Sequence, residues 1–285
     1  MHIIMKYITP YITAHTSSYL SYKNTGLGNV LFQIASSYGI SKKYDIKVLF
    51  NNVRHFCDKL YTTFNYNHKD TILRNIYNIY DDSVSFTNTI NEELIFARKY
   101  STNLLYAIQN TQDNIILHGY FESFLYFNEY IDDIRNLFSI DEKSFDCIML
   151  KYKYLLHSDD ITPISIHFRG NEYFAITGKD YDYDYYNRAI DYINTCVKNP
   201  YFLVFTDDYN SINFTKLHMI HHIHIKHEQD YLELWTMSLC KHNIISFSTF
   251  SWWGAFLNSN TDKIVLCNKD TYSTFAETYS IFIKI

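Results

Sequence analysis

The chain has 285 residues with 25 basic and 30 acidic side chains, a formal net charge of −5. That length accommodates one large or two modest domains around a substantial core, and the lack of a basic excess argues against nucleic acid as a partner. Five cysteines (Cys57, Cys147, Cys196, Cys240, Cys267) are odd in number, widely spaced and without a C-x-x-C pair, which argues against a disulfide framework and predicts reduced core residues of a cytoplasmic protein.

No uninterrupted apolar run reaches the roughly 18 residues of a membrane span. The opening residues show neither a long apolar stretch nor a small-residue cleavage site, so a soluble protein is expected. A sequon at Asn213-Phe214-Thr215 would matter only inside a secretory lumen.

In chain order, residues 6–22 have the character of a strand that runs into Gly26-Leu27-Gly28-Asn29. From Val30, the apolar positions Leu31, Ile34, Ala35 and Tyr38 recur at helical spacing, and residues 45–50 form a buried strand, giving a βαβ unit. Residues 51–110 are polar and aromatic, and mostly helix is expected there. A strand at 114–120 ends at Gly119-Tyr120, followed by helices over 128–138 and 144–156. Thr162-Pro163 opens a second domain, so the expected division is 1–160 and 161–285.

The second half has a strand at 164–168 and a helix whose buried face is Tyr185, Tyr186, Ala189, Ile190, Ile193, Cys196 and Val197. Strands follow at 201–206 and 220–225. Asp230 is placed as the cap of a helix through Leu232, Trp235, Met237 and Cys240. A strand at 244–247, a helix at 250–257 and a strand at 263–267 complete the pattern. Strands alternating with helices predict an α/β chain of two Rossmann-like halves, each a parallel sheet covered on both faces. Ligand is expected at the strand carboxyl ends, facing a cleft.

Four segments at strand ends carry chemistry. At the first strand-to-helix turn, Gly26 and Gly28 allow backbone to approach a ligand, and the helix start offers N–H groups to an anion; an ordinary tight turn would use the same residues. In His167-Phe168-Arg169-Gly170-Asn171-Glu172-Tyr173, alternation puts His167 and Arg169 on one strand face. The Arg169 fork suits phosphate oxygens, though a surface ion pair is the plainer use of such a residue. In Phe205-Thr206-Asp207-Asp208, the paired acids are able to accept from a ribose or from base N–H groups, or simply to cap a helix. In Ser246-Phe247-Ser248-Thr249-Phe250-Ser251-Trp252-Trp253-Gly254-Ala255, the hydroxyl residues both cap a helix and present donors to phosphate. The tryptophans fit core packing better than a stacking platform.

His218, His221, His222, His224 and His227 crowd one stretch, but no tetrahedral ligand spacing is present, and no metal site is expected. A dinucleotide site is disfavoured, because Gly26-Leu27-Gly28 lacks the third glycine and no acid ends the following strand.

Together these segments resemble the α-1,2-fucosyltransferase-like glycosyltransferases, glycosyltransferase family 11. The family's G-L-G-N-Q-L-F-Q stands here as Gly26-Leu27-Gly28-Asn29-Val30-Leu31-Phe32-Gln33. Its G-Y-F matches Gly119-Tyr120-Phe121, with Tyr126-Phe127 following. Its Y-Y looks like Tyr185-Tyr186, its F-[ST]-D-D like Phe205-Thr206-Asp207-Asp208, and its S-x-F-S-W-W-G-A-W-L like the ten residues from Ser248 to Leu257. The resemblance implies a GT-B fold, an inverting mechanism, GDP-fucose as donor, a galactoside hydroxyl as acceptor, and neither cofactor nor metal. It puts the acceptor on the N-terminal half and the nucleotide on the C-terminal half. His167 with Asp207 or Asp208 would then contact guanine and ribose, and Arg169 the β-phosphate. Ser248, Thr249, Phe250 and Ser251 would line the diphosphate, Asn29 would sit near the reacting groups, and Glu172 would be the candidate base. The family's H-x-R-R-G-D-Y is altered, since Gly170, Asn171 and Glu172 replace its second Arg, Gly and Asp, and Val30 replaces its Gln. That change keeps two alternatives open: a non-catalytic nucleotide-sugar or glycan-binding module, and a transferase using another GDP-sugar.

Overall fold

The computed structural model describes residues 5–12, 26–64, 66–92, 99–170, 180–269 and 282–285, the side chains of 60–64 excepted. The chain divides into two compact units, Met1–Asp141 and Glu142–Ile285. The junction expected at 160/161 lies further along the chain than this division. The difference is helix α5 (Glu142–Leu156), which packs on strand and helix of the second unit.

In the first unit, β1 (Tyr7–Pro10), α1 (Leu27–Tyr44), β2 (Lys47–Val48), α2 (Asn51–Phe64), β3 (Asn88–Asn91), α3 (Thr102–Asn110), β4 (Ile115–His118) and α4 (Ile131–Leu137) follow in order. The strands form one parallel sheet in the order β2-β1-β4-β3. Of the strand expected over 6–22, residues 7–10 are strand, and residues 13–25 lie outside the described residues. The expectation of mostly helix over 51–110 is corrected by β3, which pairs with β4.

Helix α1 starts three residues earlier than its apolar spacing suggests. Gly26 sits in an extended conformation at its N-terminus and accepts from the N–H groups of Asn29 (3.0 Å) and Val30 (3.3 Å). Leu27, Val30, Leu31, Phe32, Ile34 and Ala35 are all buried. Midway along, a Cβ on Gly39 would meet the Tyr126 carbonyl oxygen and lie 2.7 Å from Phe127 Cα. Backbone cannot move aside, so only glycine lets the helix lie this close.

The second unit runs through α5, β5 (Thr162–Phe168), α6 (Tyr183–Cys196), β6 (Pro200–Thr206), β7 (His222–His224), α7 (Asp230–Leu239), β8 (His242–Ile244), α8 (Thr249–Leu257), β9 (Val265–Cys267) and β10 (Phe282–Lys284). Its six strands are parallel in the order β10-β9-β8-β5-β6-β7. From β5 the chain steps outward twice to β7, returns to the other side of β5, and steps outward again. The reversal makes a topological switch point between β5 and β8, where open α/β sheets leave a crevice beyond the strand carboxyl ends. The expected buried face of α6 is seen in Tyr185, Tyr186, Ala189, Ile190 and Ile193, which join Ile164, Ile166 and Phe168 in the core; it stops there, since Cys196 is exposed and Val197, just past the helix, is only half-buried.

Two expectations need correction here. Asp230 does not cap α7: it is the first helical residue, Gln229 occupies the cap position, and the Asp230 carboxylate accepts from the N–H of Tyr231 at 2.8 Å. Strand β10 was not expected from the sequence. No described helix is long and apolar enough to cross a membrane.

Candidate active site

The switch point brings the second-half motifs together. His167 leaves β5 buried, and its Nδ1 lies 2.6 Å from Ser246 Oγ, just past β8. Burial, with the Arg169 charge adding to it, pushes the imidazole down to about 3, so the ring is neutral. Tyr186 on α6 donates its hydroxyl to the His167 carbonyl at 2.9 Å, and the Tyr185 hydroxyl donates to the carbonyls of Ile245 (2.6 Å) and Leu266 (3.1 Å). Two tyrosines from one helix thus hold the exits of β5, β8 and β9.

Arg169, two residues beyond His167, pairs with Asp207 at the exit of β6 at 3.4 Å. Each side chain is 36% exposed, and an exposed pair of this kind holds by about 1 kcal/mol or less. The other Asp207 oxygen accepts from the Gly170 N–H at 2.9 Å. A Cβ added at Gly170 would lie 2.9 Å from the Tyr181 hydroxyl and 3.0 Å from Asp207 Oδ1, so an arginine there, as in the family pattern, requires Tyr181 to swing away. Asp208 is turned elsewhere: its carboxylate accepts from the Ser211 hydroxyl, and its N–H donates to Thr206 Oγ1 at 3.1 Å. Asn171, Glu172 and Tyr173 lie outside the described residues.

Ser248 is the N-cap of α8, its Oγ accepting from the Phe250 N–H at 3.3 Å. Ser251, buried on the first turn, reaches back to the Ser246 (3.4 Å) and Ser248 (3.3 Å) carbonyls. The Phe250 ring lies 6.0 Å from that of His167. Ser248, Thr249, Phe250 and Ser251 therefore start a helix beside the switch point, where the aligned peptide dipoles favour an anion. Trp252 and Trp253 are 1% and 0% exposed and belong to the core.

A solvent-open pocket lies over these strand ends, lined by Arg169, Tyr181, Asp182, Tyr185, Tyr186, Ser246, Phe247 and Asn268. Sequence reasoning passed over Tyr181, Asp182 and Asn268. Asp182 caps α6, accepting from Tyr185 N at 2.9 Å, and receives the Asn268 amide at 2.8 Å. Their signal was positional, because Asn268 is the first residue beyond β9. Burial pushes the Tyr181 phenol up to about 12, with Asp207 and Asp208 adding to it.

In the first unit, Gly26 is exposed, Gly28 is buried and Asn29 is half-buried at the start of α1. Gln33, one turn on, donates to the Gly119 carbonyl at 2.7 Å and the Tyr11 carbonyl at 3.3 Å, tying the helix to the exits of β4 and β1. The Gly119-Tyr120-Phe121 turn is itself pinned. Glu92, 6% exposed, accepts from the N–H groups of Tyr120 and Phe121, both at 2.8 Å. A Cβ on Gly119 would collide with the Glu92 side chain. Phe121, fully buried, holds φ at 51°, a left-handed conformation unusual for a large side chain.

Burial pushes the Glu92 carboxyl up to about 8, against the two N–H donors and helped by the charge of Glu122; burial also raises the Tyr126 phenol, with Glu92 adding to it. A carboxyl raised on folding stabilises the native state fully below its ordinary value of 4.5 and loses that contribution as pH rises through about 8. Relative to Glu92→Gln, wild-type stability should fall by on the order of a few kcal/mol between about pH 4.5 and about pH 8. Denaturant midpoints of both proteins across that range measure it; parallel curves would remove Glu92 from the account.

The histidine cluster disperses. His218 faces Asp191 at 2.9 Å, His222 stacks on Phe214, His224 stacks on Tyr209, and His227 meets Thr236 at 3.0 Å. Among the described residues, no group of three or more metal-ligating side chains occurs. Cys57, Cys240 and Cys267 are buried, whereas Cys147 and Cys196 are exposed, which corrects the expectation that all five belong to the core.

The model of glycosyl transferase family 11 matches residues 17–284. Two Escherichia coli proteins are similar along most of their length. The O-antigen biosynthesis glycosyltransferase WbnK is 26% identical over 274 residues, covering 85% of this chain and 90% of that protein. An alpha-1,2-colitosyltransferase is 25% identical over 260 residues, covering 82% and 85%. Among solved structures, the fucosyltransferase NodZ from Bradyrhizobium superposes with a TM-score of 0.54 at 12% identity, covering 88% of this chain and 92% of that one. NodZ alpha-1,6-fucosyltransferase soaked with GDP-fucose gives 0.52 at 11%, covering 89% and 92%. At such identities the likeness is one of fold, and the fold is of the GT-B type.

Proposed function

The chain belongs to glycosyl transferase family 11, and from that premise we propose that this glycosyltransferase moves fucose from GDP-fucose to a galactoside hydroxyl with inversion, forming an α-1,2 linkage in the cytoplasm. One observation carries the reading: the β5–β8 switch point offers an arginine fork and a serine-capped helix start beside one open pocket. As the bond from the sugar to the β-phosphate breaks, negative charge collects on the departing diphosphate. Arg169 and the N–H groups of α8 then stabilise the transition state more than the ground state. No metal is assigned a part in this account, so activity is expected to survive EDTA.

In this reading, neutral His167 and the acids at the end of β6 take the nucleoside, and Asp207 gives up Arg169 to the incoming phosphate. Ser248, Thr249, Phe250 and Ser251 line the diphosphate. Gly26, Gly28 and Asn29 belong to the acceptor side. Solved neighbours soaked with GDP-fucose or co-crystallised with GDP support a guanosine donor. A different GDP-linked sugar is the second reading, favoured by the altered residues after Arg169 and by the similarity to a colitosyltransferase.

The test is release of GDP from GDP-fucose with lactose as acceptor, with the linkage of the product read by NMR. Turnover with a galactose O2 linkage is expected. GDP binding in calorimetry without turnover on any GDP-sugar would instead identify a non-catalytic binding module.

A further inference from the structure

Tyr181 stands two residues before α6 and is 6% exposed. Its ring meets that of Phe168, the last residue of β5, edge-on with centroids 5.5 Å apart. Its carbonyl accepts from the Tyr183 N–H at 2.9 Å, and its own N–H donates to the Asp180 carboxylate at 2.7 Å. Ring and backbone are thus both held, and the phenol oxygen comes to rest over Gly170, the residue after Arg169. A Cβ on Gly170 would lie 2.9 Å from that oxygen, 3.0 Å from Asp207 Oδ1 and 3.1 Å from Asp208 Cβ. Residue 170 is therefore able to carry a side chain or to lie under Tyr181, but not both. An arginine would fill this space with a charged fork; the tyrosine fills it with a neutral hydroxyl. Arg169 and Tyr181 line the same pocket, within the second unit.

The phenol oxygen ends a short chain of hydrogen bonds. The Asp208 N–H donates to Thr206 Oγ1 at 3.1 Å. The Thr206 hydroxyl bonds to the Tyr181 oxygen in the sense that opposes the rise of the phenol, as a donor does. A hydroxyl that accepts in this way still has its own proton to give, and linked hydroxyls strengthen one another. Tyr181 donates to the Asp208 carbonyl at 3.5 Å, the outer limit of a hydrogen bond. A phosphate oxygen is the stronger acceptor and replaces that contact at little cost.

We propose that Tyr181 is a second diphosphate-binding residue, its O–H donating to an oxygen of the donor's diphosphate beside the Arg169 fork, with Gly170 making the room it needs. The assignment rests on the reading above that this pocket takes the diphosphate. On this account the glycine at 170 marks a rearranged site, in which one cation and one neutral donor share the anion.

The experiment compares the full-length wild type with Tyr181→Phe, Gly170→Ala and the double variant, titrating GDP and guanosine in calorimetry. Tyr181→Phe removes one oxygen and keeps the ring on Phe168, so its melting temperature is expected to be unmoved. Its affinity for GDP should fall by about 10- to 150-fold, the worth of a hydrogen bond to a charged group. Guanosine, which carries no phosphate, should bind both proteins alike, an outcome that a merely structural role would not give. Gly170→Ala should weaken GDP binding in wild type and do so by less in Tyr181→Phe, where the oxygen its Cβ presses on is gone. The assignment is overturned if Tyr181→Phe binds GDP within about threefold of wild type, if guanosine weakens in parallel, or if the two substitutions simply add. Wild type that binds no GDP at all defeats the reading of the pocket, a result distinct from a GDP-binding protein indifferent to Tyr181.

Discussion

Replacing Arg169 with alanine is expected to lower kcat by about 30- to 1,000-fold, equivalent to about 2–4 kcal/mol of transition-state stabilisation, while leaving the protein folded. Arg169 is the only cation among the described residues lining the pocket, so none of those residues offers a second charge to substitute for it. Its pair with Asp207 spans 3.4 Å between side chains one-third exposed, and breaking such a pair costs at most about 1 kcal/mol. The effect should therefore appear in turnover and leave the melting curve nearly unmoved. Lysine at this position keeps a charge and loses the planar two-pronged donor, so Arg169→Lys should fall between wild type and Arg169→Ala. Steady-state kinetics on GDP-fucose with lactose decide the matter. An alanine variant within a few-fold of wild-type kcat would mean that the charge on the leaving group is met elsewhere.

Trp253→Ala is expected to lower unfolding free energy by about 3–5 kcal/mol, the usual range for emptying an aromatic site in a core. Trp253 is fully buried, with ring centroids 5.1 Å from Trp252 and 5.2 Å from Phe256, both edge-on. Trp252 in turn stacks on Phe256 at 5.1 Å and tilts against Phe282 of β10 at 6.0 Å. Next to this cluster, a Cβ on Gly254 would lie 2.8 Å from Met237 Cβ, so α8 and α7 approach too closely to collapse further into a void. Domains hold together by about 5–15 kcal/mol in total, which makes the loss a large share. Because α8 carries the Ser248 cap and the N–H groups of the site, activity should fall before global unfolding is complete. Guanidinium denaturation measures the change, and a shift below about 1 kcal/mol would show that the cluster repacks.

Much of the second unit was legible because its signals are strong. The buried face of α6 repeats at helical spacing, and β5 and β6 are seven-residue strands rich in Ile, Phe, Leu and Val. The serine-rich junction was legible as a helix start, and Ser248 does cap α8. Weak local signals account for the misses. Asn88-Thr89-Ile90-Asn91 holds one large apolar residue and two asparagines, poor strand formers, and becomes β3 only by pairing with β4. Strand β10 has three residues and is defined by its register with β9. An acid just before an apolar helix suggests a cap, yet Asp230 lies one position inside, where a carboxylate still meets the helix dipole favourably.

The site was legible in part for a similar reason. His167, Arg169 and Ser248 to Ser251 stand in contiguous motifs, whereas Tyr181, Asp182 and Asn268 reach the pocket only through strand order. Electrostatics was the least legible layer. His167 and Glu92 are ordinary letters in the sequence, and burial, aided by the charges of Arg169 and Glu122 respectively, moves one to about 3 and the other to about 8. Their effects on stability oppose each other. A lowered imidazole stabilises the folded state above its ordinary value of 6.5 and loses that contribution as pH falls towards 3, while Glu92 loses its own as pH rises.

The order β10-β9-β8-β5-β6-β7 also dictates a timetable for the nascent chain. During synthesis, β5, β6 and β7 are complete some twenty residues before β8 emerges, and domains form as the chain is delivered. Until then the central strand of the finished sheet is an open edge with unpaired N–H and C=O groups, the kind of template on which other strands add. A ribosome stalled or a message cut before residue 242 would release a half-sheet prone to self-association. Chains extended past β8 cover that edge of β5 and leave only the three-residue β8 open on that side, so they should self-associate less.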